Sequence, residues 1–118
     1  IKSMAYILRL LENRELKRGD ILVIDEPEVN LHPEWQLAFA DFLVQLSKEL
    51  NINILLNTHS PYFLRAIEVY SERHETSASV KLYMTIPSDD SLNTYVAKDF
   101  TANPENAFEP LYRPFEKL

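Results

Sequence analysis

Two carboxylates and an imidazole stand just after two short segments rich in apolar residues. Asp25 and Glu26 come directly after residues 21–24, and His59 follows residues 52–57 with one threonine between. Because adjacent residues of a strand point in opposite directions, the two carboxylates need not share one role. One carboxylate can hold a hydrated Mg²⁺ ion, and the other can orient and deprotonate a water molecule for attack on a phosphorus centre. An imidazole beside them can donate a hydrogen bond to a terminal phosphate oxygen.

Each of these residues also has a purely structural interpretation. An Asp-Glu pair by itself often only solvates a strand end, and a lone histidine in the position of His59 often caps the helix that follows. The joint occurrence of both features, each at a strand end, favours the chemical interpretation. Neighbouring parallel strands would bring His59 close to Asp25 and Glu26, at the carboxyl edge where open α/β sheets bind ligands.

The apolar pattern predicts the elements that position these residues. Residues 21–24 are apolar without alternation, which indicates a strand buried on both faces, as in a parallel sheet covered by helices. An apolar stripe predicts a helix over residues 33–50, and residues 52–57 read as a second buried strand. Strand, helix and strand in this order indicate a right-handed parallel crossover.

Further elements flank this unit. Ser60 before Pro61 is typical of a helix cap followed by a first-turn proline. Short helical turns are predicted after Asn103. The other predicted elements are a helix over residues 3–15, a helix over residues 61–73, and two strands over residues 80–86 and 92–97 that form an antiparallel hairpin.

Composition restricts the class of protein. The 118 residues are 46% hydrophobic and 25% charged, which fits one domain or part of one. The sequence has no cysteine, no visible signal peptide and no apolar run near the roughly 20 residues that cross a bilayer, so we expect a cytoplasmic protein without a membrane partner. The net charge of −6, with scattered basic residues, argues against a nucleic-acid-binding face in this segment.

The glycine content excludes two nucleotide-binding motifs. Gly19 is the single glycine, whereas a loop that cradles phosphates needs at least two, because only glycine lets the backbone curl around the anion. The P-loop and the dinucleotide fingerprint are therefore absent from this chain. With no initiator methionine at the start, we expect a fragment, marginally stable or paired with another copy through an exposed sheet edge.

Three segments carry a resemblance to a known family. Asp-Glu-Pro-Glu-Val-Asn-Leu-His-Pro, within residues 21–33, resembles the Walker B motif and D-loop of ABC-type ATPases, closest to the soluble overcoming-lysogenization-defect-type branch. Asn-Thr-His-Ser-Pro, residues 57–61, resembles the switch-histidine segment of that branch, and residues 108–111 resemble its C-terminal end. The resemblance implies an α/β fold in which residues 1–118 are the C-terminal portion of a P-loop NTPase domain, with parallel strands flanked by helices and a C-terminal β-hairpin.

The resemblance also implies a role for each residue at the two strand ends. Asp25 would hold Mg²⁺ through water. Glu26 would be the general base that polarises the attacking water. His59 would sense the γ-phosphate of ATP.

Four other residues are implied to contact nucleotide or partner. Asn30, Leu31 and His32 would form the D-loop, which meets its counterpart across an ATP-sandwich homodimer. Lys2 would be the terminal polar residue of a signature motif and would reach the nucleotide of the partner subunit, although a lysine near a chain start is more often simply solvated.

These implications favour ATP binding and hydrolysis by the complete protein, with Mg²⁺ as cofactor. Because Walker A, the glutamine loop and most of the signature motif are missing, we expect the chain to be inactive by itself. A second hypothesis is an ATP-gated dimerisation and regulatory module for a linked nuclease or defence partner, with nucleic acid contacted by other parts of the protein. A third is a stand-alone metal-dependent phosphohydrolase that uses Asp25, Glu26 and His59.

Overall fold

The structure is a computed structural model that describes residues 2–88 and 94–102, without the side chains of residues 2 and 3. The chain divides into two units, Ile1–Ser77 and Ala78–Leu118. The helical turns predicted after Asn103 lie outside the described residues, as do residues 108–111.

The described part of the first unit alternates helices and strands, as the sequence predicts. Its elements are α1 Lys2–Glu12, β1 Ile21–Asp25, α2 Pro33–Leu50, β2 Asn53–Asn57 and α3 Pro61–Arg73. Helices α2 and α3 both begin at a proline. Proline suits this position because a backbone N–H in the first helical turn has no acceptor within the helix, so its absence costs nothing.

Helix α1 ends earlier than residue 15, where the sequence pattern placed its end. Arg14 has a left-handed backbone with φ 58°, which stops the helix. The N–H groups of Glu15 and Leu16 both donate to the Leu10 carbonyl, at 2.9 and 3.1 Å. These bonds satisfy a carbonyl of the last turn of α1.

Strands β1 and β2 are parallel, as predicted, and they form a two-stranded sheet in the described residues. The register places Ile21 opposite Asn53 and Asp25 opposite Asn57. Backbone bonds extend the pairing past both ends, since Asn53 donates to the Asp20 carbonyl at 2.8 Å and Glu26 donates to the Asn57 carbonyl at 2.7 Å. The carboxyl ends of the two strands therefore lie side by side.

The core of the first unit is built around aromatic rings of α2 and α3. Phe39 and Phe63 are fully buried, and their rings stack with centroids 6.2 Å apart. The ring of Phe42 also stacks on Phe39, with centroids 6.3 Å apart. The buried residues of this cluster are Ile7, Leu16, Phe39, Ala40, Leu43, Leu46, Ile52, Phe63 and Ala66.

The parallel sheet has one packed face and one exposed face. The outward side chains of Ile21, Val23 and Leu55 are 71%, 68% and 66% exposed. The prediction that both strands are buried on both faces is therefore wrong for this chain, because no described element covers these three side chains. The strand residues that pack against the core are Leu22, Ile24, Ile54 and Leu56.

The second unit contains an antiparallel pair of strands. Strand β3, Tyr83–Pro87, pairs with β4, Tyr95–Asp99, and a 3₁₀ turn lies at Ser77–Ser79. Both strands begin three residues later than the sequence pattern indicated, and residues 89–93 of the connection between them lie outside the described residues. In the part of the chain that the structure describes, no helix has the length and apolarity to cross a membrane.

A shared carboxylate links the end of α3 to the middle of α2. Asp41 Oδ1 lies 2.7 Å from His74 Nε2 and accepts a hydrogen bond from Gln45 Nε2 at 2.9 Å. Partial burial acts to raise the pKa of Asp41, but the hydrogen bonds from Gln45 and His74 and the charges of His74 and Arg73 outweigh it. The pKa of Asp41 therefore lies below its ordinary value of 3.8.

Truncation of the central aromatic ring should strongly destabilise the first unit. Phe39→Ala is expected to lower the free energy of unfolding by about 3–5 kcal/mol, because it leaves a cavity where a buried ring contacts two others. Trp35→Ala on the same helix is the control: Trp35 is 53% exposed, and its loss should cost about 1 kcal/mol or less. Urea denaturation followed by circular dichroism measures both, and equal losses would contradict the assigned core.

Acid should weaken the fold partly through Asp41. Because its pKa is lower in the folded state than in the unfolded chain, its stabilisation is complete above the unfolded pKa and is lost as the pH falls through the folded pKa. Asp41→Asn should therefore flatten the acid limb of a plot of unfolding free energy against pH. Glu49→Gln removes an exposed carboxylate from the same helix and serves as the control. Identical acid limbs for wild type and Asp41→Asn would refute this assignment.

Candidate functional site

The carboxyl ends of the two parallel strands form the candidate site, called here the strand-end site and comprising residues 25–32 and 57–60. Residues 25–32 contain the end of β1 and the loop to α2, and residues 57–60 contain the end of β2 and the cap of α3. Since β1 and β2 are in parallel register, both segments leave the sheet at the same edge.

Two side-chain contacts join the carboxyl ends of the two strands. Asn57 Nδ2 donates to Asp25 Oδ1 at 2.6 Å, between residues that are directly opposite in the register. His59 Nδ1 lies 2.6 Å from Glu26 Oε1. The structure thus places Asp25, Glu26 and His59 at one edge of the sheet. The predicted proximity of His59 to Glu26 is confirmed, while the chemical roles of all three residues remain predictions.

The backbone at Glu26 is unusual and helps to create this arrangement. Glu26 has φ 46° and Asn30 has φ 65°, both in the left-handed region. A non-glycine residue held in a sparsely populated conformation of this kind costs on the order of 1 kcal/mol or more and is often found at functional sites. The turn is fixed by two backbone bonds, from Val29 to the Glu26 carbonyl at 3.2 Å and from Leu31 to the Glu28 carbonyl at 3.0 Å.

A buried carboxylate, that of Glu28, makes a second connection between the two segments of the site. Thr58 Oγ1 donates to Glu28 Oε1 at 2.6 Å, and the His59 backbone N–H donates to the same oxygen at 3.3 Å. Glu28 is buried, whereas His59 is exposed. The sequence suggests Glu28 only as a candidate zinc ligand with His32 and Asp25, a site that the sequence does not favour; its contact with residues 58 and 59 was not predicted. The signal in the sequence was an acidic residue two positions after the candidate base.

Ser60 caps helix α3, as predicted. Its Oγ accepts a hydrogen bond from the Phe63 N–H at 3.1 Å, and Pro61 is the first helical residue. The alternative in which His59 is the helix cap is therefore wrong. The ring of His59 is available to Glu26 because the neighbouring serine satisfies the helix terminus.

The three predicted D-loop residues have different environments. Asn30 is exposed at the left-handed turn, and Leu31 packs against the hydrophobic core. His32 is the N-cap of α2, and its Nδ1 accepts from the Glu34 N–H at 3.3 Å. The sequence did not predict this cap. The side chain of Lys2 lies outside the described part of the chain, and only its position at the start of α1 is known.

The donor set of the strand-end site fits magnesium better than a metal held by protein alone. Within residues 2–88 and 94–102, no group of three or more histidines, cysteines or carboxylates is placed to hold a metal ion. Asp25 offers one exposed carboxylate, oriented by Asn57. Magnesium commonly takes one or two carboxylates and completes its shell with water and substrate phosphates.

Known proteins match the part of the chain that contains the strand-end site. The family described as "AAA domain, putative AbiEii toxin, Type IV TA system" matches residues 1–65, which is more than half of the 118 residues. The match includes β1, α2 and β2, together with the segment that contains His59. No solved structure matches the chain.

Two curated relatives match over a similar length. A Methanosarcina acetivorans protein named "Putative ABC transporter ATP-binding protein" is 36% identical over 56 residues, which are 44% of this chain and 17% of the relative. An uncharacterised protein of Methanocaldococcus jannaschii is 43% identical over 60 residues, which are 48% of this chain and 15% of the relative. The chain thus spans less than a fifth of either relative. With the family match over residues 1–65, these similarities show that the chain belongs to the AAA-domain family, among the ABC- and AAA-type ATPases.

Proposed function

We propose that this chain supplies the catalytic edge of an ATPase, in which ATP is bound and hydrolysed at the strand-end site. The observation that carries the proposal is the 2.6 Å contact between Glu26 Oε1 and His59 Nδ1 at the shared end of two parallel strands. Membership of the ATPase family supports ATP as the substrate. The roles of individual residues rest on their placement in this site.

Glu26 is the proposed general base. A base must lie within hydrogen-bond reach of the proton it removes, and the left-handed backbone at Glu26 turns its carboxylate to the edge of the sheet beside His59. The attacking water transfers a proton to this carboxylate as its oxygen bonds to the γ-phosphorus. The bond between that phosphorus and the bridging oxygen breaks, and ADP and phosphate are released.

His59 is the proposed contact to the γ-phosphate. Its Nδ1 is engaged by Glu26, so Nε2 is the ring nitrogen left to meet a phosphate oxygen. When Nδ1 donates to Glu26, Nε2 donates only in the protonated imidazolium, because neutral imidazole carries one N–H. His59 and Glu26 would therefore act as a pair whose hydrogen bond orients both groups.

Asp25 is the proposed magnesium ligand. When bound, Mg²⁺ would neutralise charge on the β- and γ-phosphates during transfer. The amide of Asn57 donates to one oxygen of the Asp25 carboxylate and so orients the group. One oriented carboxylate suits a magnesium ion that takes its other ligands from phosphates and water.

The remaining contacts to nucleotide would come from elsewhere. Gly19 is the single glycine and belongs to a turn, where its φ is 86°. A glycine-rich phosphate loop would therefore be supplied by other sequence. Residues 1–118 would be the C-terminal portion of a cytoplasmic P-loop NTPase domain. Asn30 to His32 would meet the same loop of a second copy in a homodimer, and Lys2 would reach the nucleotide of the partner subunit.

A second candidate function is an ATP-gated dimerisation and regulatory module for a linked nuclease or defence partner. The description of the matched family, which refers to a toxin and a Type IV TA system, favours this candidate. Both candidate functions require ATP binding. In the second, ATP hydrolysis serves to switch the state of a partner. The match to an ATPase family favours both of these functions over a stand-alone metal-dependent phosphohydrolase.

Replacement of the proposed base should stop hydrolysis and spare binding. In the complete natural protein, Glu26→Gln is expected to lower kcat at least about 100-fold, because the amide cannot accept the proton of the water. Phosphate release measures turnover, and a fluorescent ATP analogue measures binding.

The matched control is Glu34→Gln, which removes an exposed carboxylate from the first turn of α2. This variant should hydrolyse ATP at the wild-type rate. Wild-type turnover by Glu26→Gln would exclude Glu26 as the base. The 118-residue chain by itself should show no turnover, and turnover that Glu26→Gln abolishes in it would overturn that expectation.

A further inference from the structure

Glu28 is a buried carboxylate within the strand-end site, with no role in the chemistry described above. It is 9% exposed, and its Oε1 accepts hydrogen bonds from the Thr58 hydroxyl at 2.6 Å and the His59 N–H at 3.3 Å. Its second oxygen, Oε2, is also buried and has no hydrogen-bond partner in the described part of the chain. Glu28 is thus a buried carboxylate that contacts residues 58 and 59 through one oxygen, while its other oxygen has no hydrogen bond in the described part of the chain.

A buried carboxylate does not by itself favour the folded state. Burying a charged group is unfavourable unless its hydrogen-bonding capacity is satisfied, and an apolar residue of similar size usually packs as well or better. One oxygen of Glu28 gains no compensation from the described residues. The carboxylate at this position is therefore better explained by what it holds in place than by a contribution to folding.

The bonds of Glu28 constrain the backbone on each side of His59. Thr58 Oγ1 donates to Glu28 and accepts a hydrogen bond from the Ser60 N–H at 3.1 Å. Ser60 in turn caps α3 through the Phe63 N–H. The residue before His59, its own N–H and the residue after it thus belong to one hydrogen-bonded chain that starts at Glu28.

We propose that Glu28 is a positioning residue, which holds the segment 58–60 so that the ring of His59 stays against Glu26. Glu26 and Glu28 lie on the same loop, two residues apart, and attach to the same segment at two points. Glu26 contacts the ring, and Glu28 contacts the backbone. With both attachments in place the ring keeps one direction, whereas a segment held only at the ring could turn about that single contact. The catalytic consequence of this positioning rests on the proposed ATPase function.

Steady-state kinetics of the complete natural protein test the catalytic consequence. Glu28→Ala and Thr58→Val remove the acceptor and the donor, and each should lower kcat by about 10- to 100-fold with KM changed less than about 3-fold, because the binding groups remain and a reacting group is misplaced. Glu28→Gln and Thr58→Ser keep an accepting oxygen and a donating hydroxyl, and should retain most activity. The double variant Glu28→Ala/His59→Ala should be no slower than His59→Ala.

Nuclear magnetic resonance of His59 in the nucleotide-free protein tests the positioning itself. Loss of the hydrogen bond in Glu28→Ala should move the His59 amide proton upfield, and in both Glu28→Ala and Thr58→Val the His59 ring nitrogen signals should change. Glu28→Gln and Thr58→Ser should stay near wild type. If Glu28→Ala fails to fold, the Thr58→Val and Thr58→Ser pair decides the question.

The outcomes separate the two claims. Absence of ATP hydrolysis in the wild type, with His59 signals that move in the variants, would end the proposed function and leave the positioning intact. Loss of activity in Glu26→Gln, with wild-type kcat and unchanged His59 signals in Glu28→Ala and Thr58→Val, would overturn the positioning and leave the function. A loss of kcat in Glu28→Ala/His59→Ala that equals the product of the two single losses would also overturn it.

Discussion

The site depends on the in-register parallel pairing of β1 with β2. This register sets Asp25 opposite Asn57, and one further backbone bond from Glu26 carries the pairing past the strand end. A slip of one residue would turn every side chain of a strand to the other face. The apolar side chains that face the core therefore fix where the polar side chains emerge, and packing several residues away determines which groups meet at the edge.

Three acidic residues within four positions have three different environments. Asp25 is exposed and held by an amide, and Glu26 is partly exposed against an imidazole. Glu28 is buried and holds backbone and hydroxyl donors. Because burial and partner decide what a carboxylate can do, these differences are the basis for the three separate roles proposed for the three side chains.

Local sequence signals predicted the helices well. The extents of α2 and α3 match the predicted residues 33–50 and 61–73, because prolines mark their starts and apolar stripes mark their faces. The meeting of Glu26 with His59 followed from topology, since parallel strands share a carboxyl edge. The exposed sheet face and the buried Glu28 did not follow from the sequence. A run of apolar residues looks the same whether or not a layer covers it, and no residue type marks the left-handed backbone at Glu26, two positions before the buried Glu28.

The exposed sheet face affects how this chain behaves in solution. Ile21, Val23 and Leu55 place a hydrophobic strip on the side of the sheet opposite the core, and such strips promote self-association as protein concentration rises. Threonine at position 23 would keep the β-branched shape that suits a strand while presenting a hydroxyl to water. Because that side chain points away from the core, the exchange offers a route to more soluble samples with the strand register preserved.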